Sequence, residues 1–205
     1  MKFQLTLLLI SMLFSEVLSL MCQQCISLGI IPCTSTQINC SNQCASATVS
    51  VYTSVTKVIN VSMQTCSMPD MCVNGSLNTG TVNLINSAKC CSTDLCNNET
   101  LPALPQQSPN GMMCYTCDPK GCSRALSCVG DQNFCISMSV QQGDSTVSMK
   151  GCASKSICDT VRPSSQGFAV VSVQCCEGNL CNSAESFTLS FLLTLVHLLS
   201  SILFY

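Results

Sequence analysis

Twenty cysteines fall into two series of ten, and the two series repeat each other. The first runs Cys22, Cys25, Cys33, Cys40, Cys44, Cys66, Cys72, Cys90, Cys91 and Cys96. The second runs Cys114, Cys117, Cys122, Cys128, Cys135, Cys152, Cys158, Cys175, Cys176 and Cys181. Each opens with CxxC, carries a CxxxxxC step (Cys66 to Cys72, Cys152 to Cys158) and closes with CCxxxxCN, as CCSTDLCN and CCEGNLCN. An internal repeat of this order points to two copies of one small unit. Two units of about 75 residues bury only thin cores. Crosslinks then supply stability, at roughly 2–4 kcal/mol per bridge, chiefly by restricting the unfolded chain.

That reading needs an oxidising compartment, and the N-terminus supplies one. Lys2 is followed by the apolar stretch Leu5 to Phe14, with Val17 and Ser19 suiting the −3 and −1 positions of a cleavage site. Residues 1–19 therefore read as a signal peptide. At the other end, Phe187 to Tyr205 is apolar to the last residue. The small residues Asn182, Ser183 and Ala184 precede it, then Glu185-Ser186. This is the pattern of a glycosylphosphatidylinositol (GPI) attachment signal, with Asn182 as the first choice of attachment residue and Ser183 or Ala184 as alternatives. The expected organisation is residues 1–19 signal peptide, 20–97 first domain, 98–113 proline-containing linker, 114–182 second domain, and 183–205 a removed propeptide.

Between the cysteines, apolar and polar residues alternate with the period of a strand. Val49 and Val51, then Ile59, Val61 and Met63, predict one hairpin. Ile136, Met138 and Val140, a turn at Gly143-Asp144, then Val147 and Met149 predict its counterpart. Cys72 to Cys90 and Cys158 to Cys175 read as further hairpins, with Gly80 and Gly167 near their turns. No amphipathic helix is legible between the two terminal signals. The fold class is small, disulfide-rich and all-β, in two tandem units. Pro102, Pro105 and Pro109 mark a semi-rigid extended connector.

The CxxC starts, the ten-cysteine order and the CCxxxxCN ends resemble the lymphocyte-antigen-6/urokinase-receptor (LU) domain, twice over. The cysteine spacing also resembles gamma-type phospholipase inhibitors. The resemblance implies three-finger domains, in which a disulfide hub extends three β-loops. It implies the bridges Cys22–Cys44, Cys25–Cys33, Cys40–Cys66, Cys72–Cys90 and Cys91–Cys96 in the first domain. In the second it implies Cys114–Cys135, Cys117–Cys122, Cys128–Cys152, Cys158–Cys175 and Cys176–Cys181. Spacing alone leaves the connectivity open. Asn97 and Asn182 match the family's closing Asn, which ties the terminus to the hub.

The chemistry-bearing residues argue against catalysis. The only histidine is His197, inside the tail. Nucleophile systems that need an imidazole then have no base in the mature chain. The carboxylates Asp70, Asp94, Asp118, Asp131, Asp144, Asp159 and Glu177 are scattered. CxxC pairs hold zinc where thiols stay reduced, which a secretory chain does not offer. No enzyme activity, cofactor or metal is expected. A net charge of −2 without basic runs leaves no nucleic-acid footprint.

N-x-S/T sequons stand at Asn60, Asn74 and Asn98, and more cramped at Asn39. Asn60 is expected on the outward polar side of its strand. The second domain has no such sequon, and its loops carry Lys120, Arg124, Arg162 and Phe168, the expected binding face. The functional expectation is a GPI-anchored surface glycoprotein on the extracellular face of the cell membrane, recognising an extracellular or cell-surface protein. The alternative is a soluble secreted inhibitor of an extracellular enzyme such as a phospholipase.

Overall fold

The computed structural model describes residues 19–29, 31, 33–53, 56–142, 145–161 and 170–183. They form two compact units. The first is built within Met1–Val51, Lys57–Asn74 and Asn86–Pro105. The second holds the described residues within Tyr52–Thr56, Gly75–Ile85 and Gln106–Tyr205. Among the described residues no helix is long and apolar enough to cross a membrane.

In the first unit β1 (Leu20–Leu28) pairs antiparallel with β2 (Thr36–Cys40) and, further along, with β4 (Thr56–Ser67). The register sets Ile26 opposite Met63 and Leu28 opposite Val61. β4 lies beside β3 (Gln43–Thr53), and β3 beside β6 (Asn83–Cys91). A single 3-10 turn, Pro69–Met71, follows β4.

The second unit contains β7 (Pro109–Asp118) paired with β8 (Gly121–Val129), and β9 (Phe134–Gln142) paired with β10 (Ser145–Ala153). β11 (Val170–Cys176) lies along β9, and β5 (Gly75–Asn78) along β10, with Asn78 opposite Cys152. β5 comes from the first repeat, yet Ser76 accepts from the Ser154 amide at 2.9 Å and its hydroxyl donates to Asp131 at 2.7 Å. The next turn is closed by Thr79 and Val82, with Gly80 at φ +80°, a left-handed conformation that glycine adopts freely. The linker region is ordered as well. Pro109 to Met113, at the end of the expected connector, belong to β7.

One element was not legible beforehand. After β10 the chain makes a short helix, α1 (Lys155–Thr160), where the repeat has only the 3-10 turn. It replaces part of the hairpin expected between Cys158 and Cys175, of which β11 is the described strand; Gly167 lies outside the described residues.

Disulfides take the place of a large apolar core. The bonded pairs are Cys22–Cys44, Cys25–Cys33, Cys40–Cys66, Cys72–Cys90 and Cys91–Cys96. In the second series they are Cys114–Cys135, Cys117–Cys122, Cys128–Cys152, Cys158–Cys175 and Cys176–Cys181. Cys22 and Cys44 are fully buried, as are Cys114, Cys128, Cys135 and Cys152. The hub sulfurs of neighbouring bridges lie close together, but each is consumed in an S–S bond and offers no thiolate to a metal.

Candidate functional site

Each hub is closed by the same clasp. Asn97 accepts from the Gln23 amide at 2.9 Å and donates to the carbonyls of Gln23 (2.9 Å) and Ala45 (3.0 Å). Asn182 accepts from Tyr115 at 2.8 Å and donates to Tyr115 (2.9 Å) and Ile136 (3.1 Å). Two residues earlier Leu95 and Leu180 take φ of 54° and 57°, an uncommon backbone for leucine. That conformation aims their amides at the Met21 and Met113 carbonyls, at 2.6 and 2.7 Å. Asp94 and Asn179 complete the clasp by accepting from the amides of the same two methionines, both at 2.8 Å. The repeated x-L-C-N was visible in the sequence as a string; the leucine's part in it was not.

From these matched hubs the middle hairpins diverge. Counting from Cys44 and Cys135, Ser46 and Thr48 correspond to Ser137 and Ser139. Counting back from Cys66 and Cys152, Ser62 and Gln64 correspond to Ser148 and Lys150. In the first unit this hydroxyl-rich side of the sheet is the covered one. Ser46, Thr48 and Gln64 are buried, and Ser50 is fully so. The chain after Asn97 lies across them: Ser46 donates to Glu99 O at 2.7 Å, Thr48 to Leu101 O at 2.8 Å, and Gln64 to Asn97 O at 2.7 Å. Asn60 lies on this side too, with its Oδ1 enclosed and without a partner. The residue as a whole is half-buried, on the side of β4 opposite Ile59, Val61 and Met63.

The other side of that sheet is apolar and open. Cross-strand partners point the same way, so Ile26, Leu28, Val61 and Met63 share a face, and Ile59 joins them by alternation. Ile26 is 63% and Leu28 52% exposed. The face runs into a groove of about 340 Å³ lined by Ala45, Ala47, Met63, Met68, Met71 and Ala88, among others. Met68 and Met71 stand at its rim, mostly exposed.

The second unit is the reverse. Ile136 and Met138 are buried against Leu77, Ile157 and Val173. Ile157 corresponds to Met71 in the cysteine count: in α1 it packs against that core, whereas Met71 lines the open groove of the first unit. The hydroxyl side stays open. Ser172, Ser139 and Ser148 form one row across three strands, and Gln174, Ser137 and Lys150 the next.

The remaining sequence candidates are distributed as follows. Lys120 and Arg124 are exposed on the β7–β8 hairpin, where the Lys120 amide bonds Asp118 at 2.8 Å. Arg162, Phe168, Ala184, Asp144 and His197 lie outside the described residues. Asn39, Asn74 and Asn98 are exposed. Asn182 is 5% exposed, and its carbonyl accepts from Lys150 Nζ at 2.7 Å; Ser183 is half-buried. The carboxylates serve local structure: Asp94 and Asp131 hold the clasp and Ser76, and Asp159 pairs with Lys155 at 3.4 Å on the surface.

The chain is similar to known proteins. The chain is 31% identical to the urokinase plasminogen activator surface receptor of Bos taurus over 105 residues, which is 46% of this chain and 32% of that protein. It is 32% identical to a phospholipase A2 inhibitor of the gamma type from Elaphe quadrivirgata over 113 residues, 49% of this chain and 56% of that protein. The matches thus span from a third to just over half of those relatives' lengths. Mouse TEX101 aligns over 78% of this chain and 99% of its own at 13% identity, with a TM-score of 0.30. The profile of the u-PAR/Ly-6 domain matches residues 18–99 and again 110–184, and the chain belongs to that family.

Proposed function

We propose that this chain is a non-catalytic protein-recognition module displayed on the extracellular face of the cell membrane through a GPI lipid. The observation that carries the recognition reading is the open apolar face of the first unit. Ile26, Leu28, Val61 and Met63 share one face, and the groove rimmed by Met68 and Met71 continues it. Contiguous apolar surface of this kind on a stable domain marks a contact surface, and methionine side chains adapt to irregular partners. No active site is needed for this role. Relatives named as a receptor and as an inhibitor support it. The anchor reading rests on the small residues at 182–184 ahead of the apolar tail. The Asn182 side chain can remain in the hub while its carbonyl carries the lipid, because attachment consumes only the backbone carboxyl. Asn74 and Asn98, both exposed, are the favoured glycan sites.

The test combines two readouts on cells expressing the full chain. Phosphatidylinositol-specific phospholipase C should release it; retention, while an anchored control is released, removes the lipid. Proximity labelling should then differ between wild type and Leu28→Ser/Val61→Ser/Met68→Ser at equal surface level. An unchanged set of labelled proteins removes the apolar face. The soluble-inhibitor alternative is favoured by the longer share of the gamma-type inhibitor that is matched. It gains ground if the protein accumulates in medium without lipid and inhibits a secreted phospholipase.

A further inference from the structure

We propose that the open hydroxyl face of the second unit is a docking groove for an extended, proline-containing segment of a partner protein bearing a carboxylate. The argument comes from the repeat itself and is independent of the apolar face; it rests on the anchor reading in one respect, because that reading removes residues 183–190, which follow Asn182 as 98–105 follow Asn97. In the first unit, hydroxyls two residues apart on β3 donate to carbonyls two residues apart on an extended segment, Ser46 to Glu99 and Thr48 to Leu101. That segment continues Leu101-Pro102-Ala103-Leu104-Pro105. Proline suits such a seat, because a hydroxyl-lined face supplies donors and a proline brings a carbonyl with no amide to satisfy.

The second unit carries the same donor frame. Ser137 and Ser139 stand where Ser46 and Thr48 stand, relative to the hub cysteine. Lys150 donates to Asn182 O at 2.7 Å, as Gln64 donates to Asn97 O at 2.7 Å. Ser148, Ser172 and Gln174 widen the face into a groove of about 370 Å³. Among the described residues the side chains of Ser137, Ser139, Ser148, Ser172 and Gln174 make no hydrogen bond to one another or to a covering segment, in contrast to Ser46 and Thr48. Among the described residues the one charged side chain in the groove is Lys150, in place of the neutral Gln64. Its ammonium has three protons and spends one on Asn182. This favours a partner segment with an acid, as the first unit's own covering segment has Glu99.

The probe is therefore a capped, fluorescent peptide with the sequence of residues 98–105, tested by anisotropy against the full chain purified in detergent. Saturable binding is expected. Ser137→Val/Ser139→Val should weaken it by about tenfold or more, as two hydroxyl–carbonyl bonds are lost. Ser139→Thr, which keeps the hydroxyl, should bind like wild type. Lys150→Gln should weaken binding and reduce its dependence on salt. A scrambled peptide of the same composition guards against failure of a variant to fold, since it needs only wild-type protein and should not compete. The proposal is overturned by no saturable binding, by equal binding of the scrambled peptide, or by full affinity in a folded Ser137→Val/Ser139→Val protein. Self-association through Ser139 without peptide binding overturns it in favour of a second copy of the chain.

Discussion

The β3–β4 hairpin of the first unit and the β9–β10 hairpin of the second start from matched hub cysteines and share a polar–apolar alternation, but bury opposite sides. In the first, Ser50 is completely buried and Ile26, across the sheet, is 63% exposed. In the second, Ile136 is 1% exposed and its serine neighbours line an open groove. A strand's alternation specifies that its two sides differ. Which side is covered depends on what chain arrives to cover it. In the first unit that is the proline-containing segment after Asn97, bonded through its carbonyls. In the second it is α1 with Ile157, together with Leu77 of β5.

The hubs should be the part in which the two regions do not differ, and breaking them gives the largest effects. Replacing both members of Cys22–Cys44 or of Cys114–Cys135 by Ala should cost about 3 kcal/mol each, since loops of 22 and 21 residues are closed. Thermal unfolding and secretion level would check it. A loss confined to one pair would mean that the two clasps are not equivalent.

Next come the apolar sides, where the contrast should be sharp. Ile136→Ala should cost about 2–4 kcal/mol, because the side chain is enclosed and its loss leaves a cavity. Val61→Ala, on the open face, should cost under about 1 kcal/mol. Chemical denaturation of each variant measures both. Equal costs would show that the first unit's apolar face is covered in solution.

The hydroxyl sides should reverse that order. Thr48→Val strands the Leu101 carbonyl and the Ser62 hydroxyl and should cost about 1–2 kcal/mol. Ser139→Val should stay within about 0.5 kcal/mol, as no bond is lost. Were Ser139→Val the costlier of the two, the groove proposed above would already hold an occupant.

These pairs also mark where the sequence stopped being informative. The cysteine order and the strand period are local and repeated, so the two cysteine sets and the middle hairpins were legible, and the pairing only through the family resemblance. Asn97 and Asn182 were expected as closing residues through the family resemblance that the recurring CN string carries. The covered side was not, because Ser46-Ala47-Thr48 and Ser137-Met138-Ser139 read alike, while the covering segments lie about fifty residues away in the first case and in a CxxxxxC step in the second. Gly75–Asn78 reads as part of the first repeat, and its pairing with β10 depends on residues 74 or more positions further on. The tips of the second repeat's third loop, where Arg162 and Phe168 were expected to bind, lie outside the described residues.

The smallest effect expected is at Asn60, and it tests the comparison without touching stability much. Asn60-Val61-Ser62 is a sequon by composition. In the fold, Asn60 Oδ1 is enclosed without a partner, and Ser62 spends its hydroxyl on Thr48 at 3.0 Å. A glycan on this side would stand on the face whose Ser46, Thr48 and Gln64 bond the chain after Asn97. Asn60→Val removes an unsatisfied buried oxygen and suits a strand, so stability should hold or rise by up to about 1 kcal/mol. The electrophoretic mobility of the secreted protein should not change. Asn98→Gln, at an exposed position just past the clasp, should increase mobility by one glycan, and enzymatic deglycosylation should erase that difference. If instead Asn60→Val removes a glycan, the carboxamide must reach solvent, the hydroxyl side of the first unit must be open, and the opposition between the two hairpins does not hold.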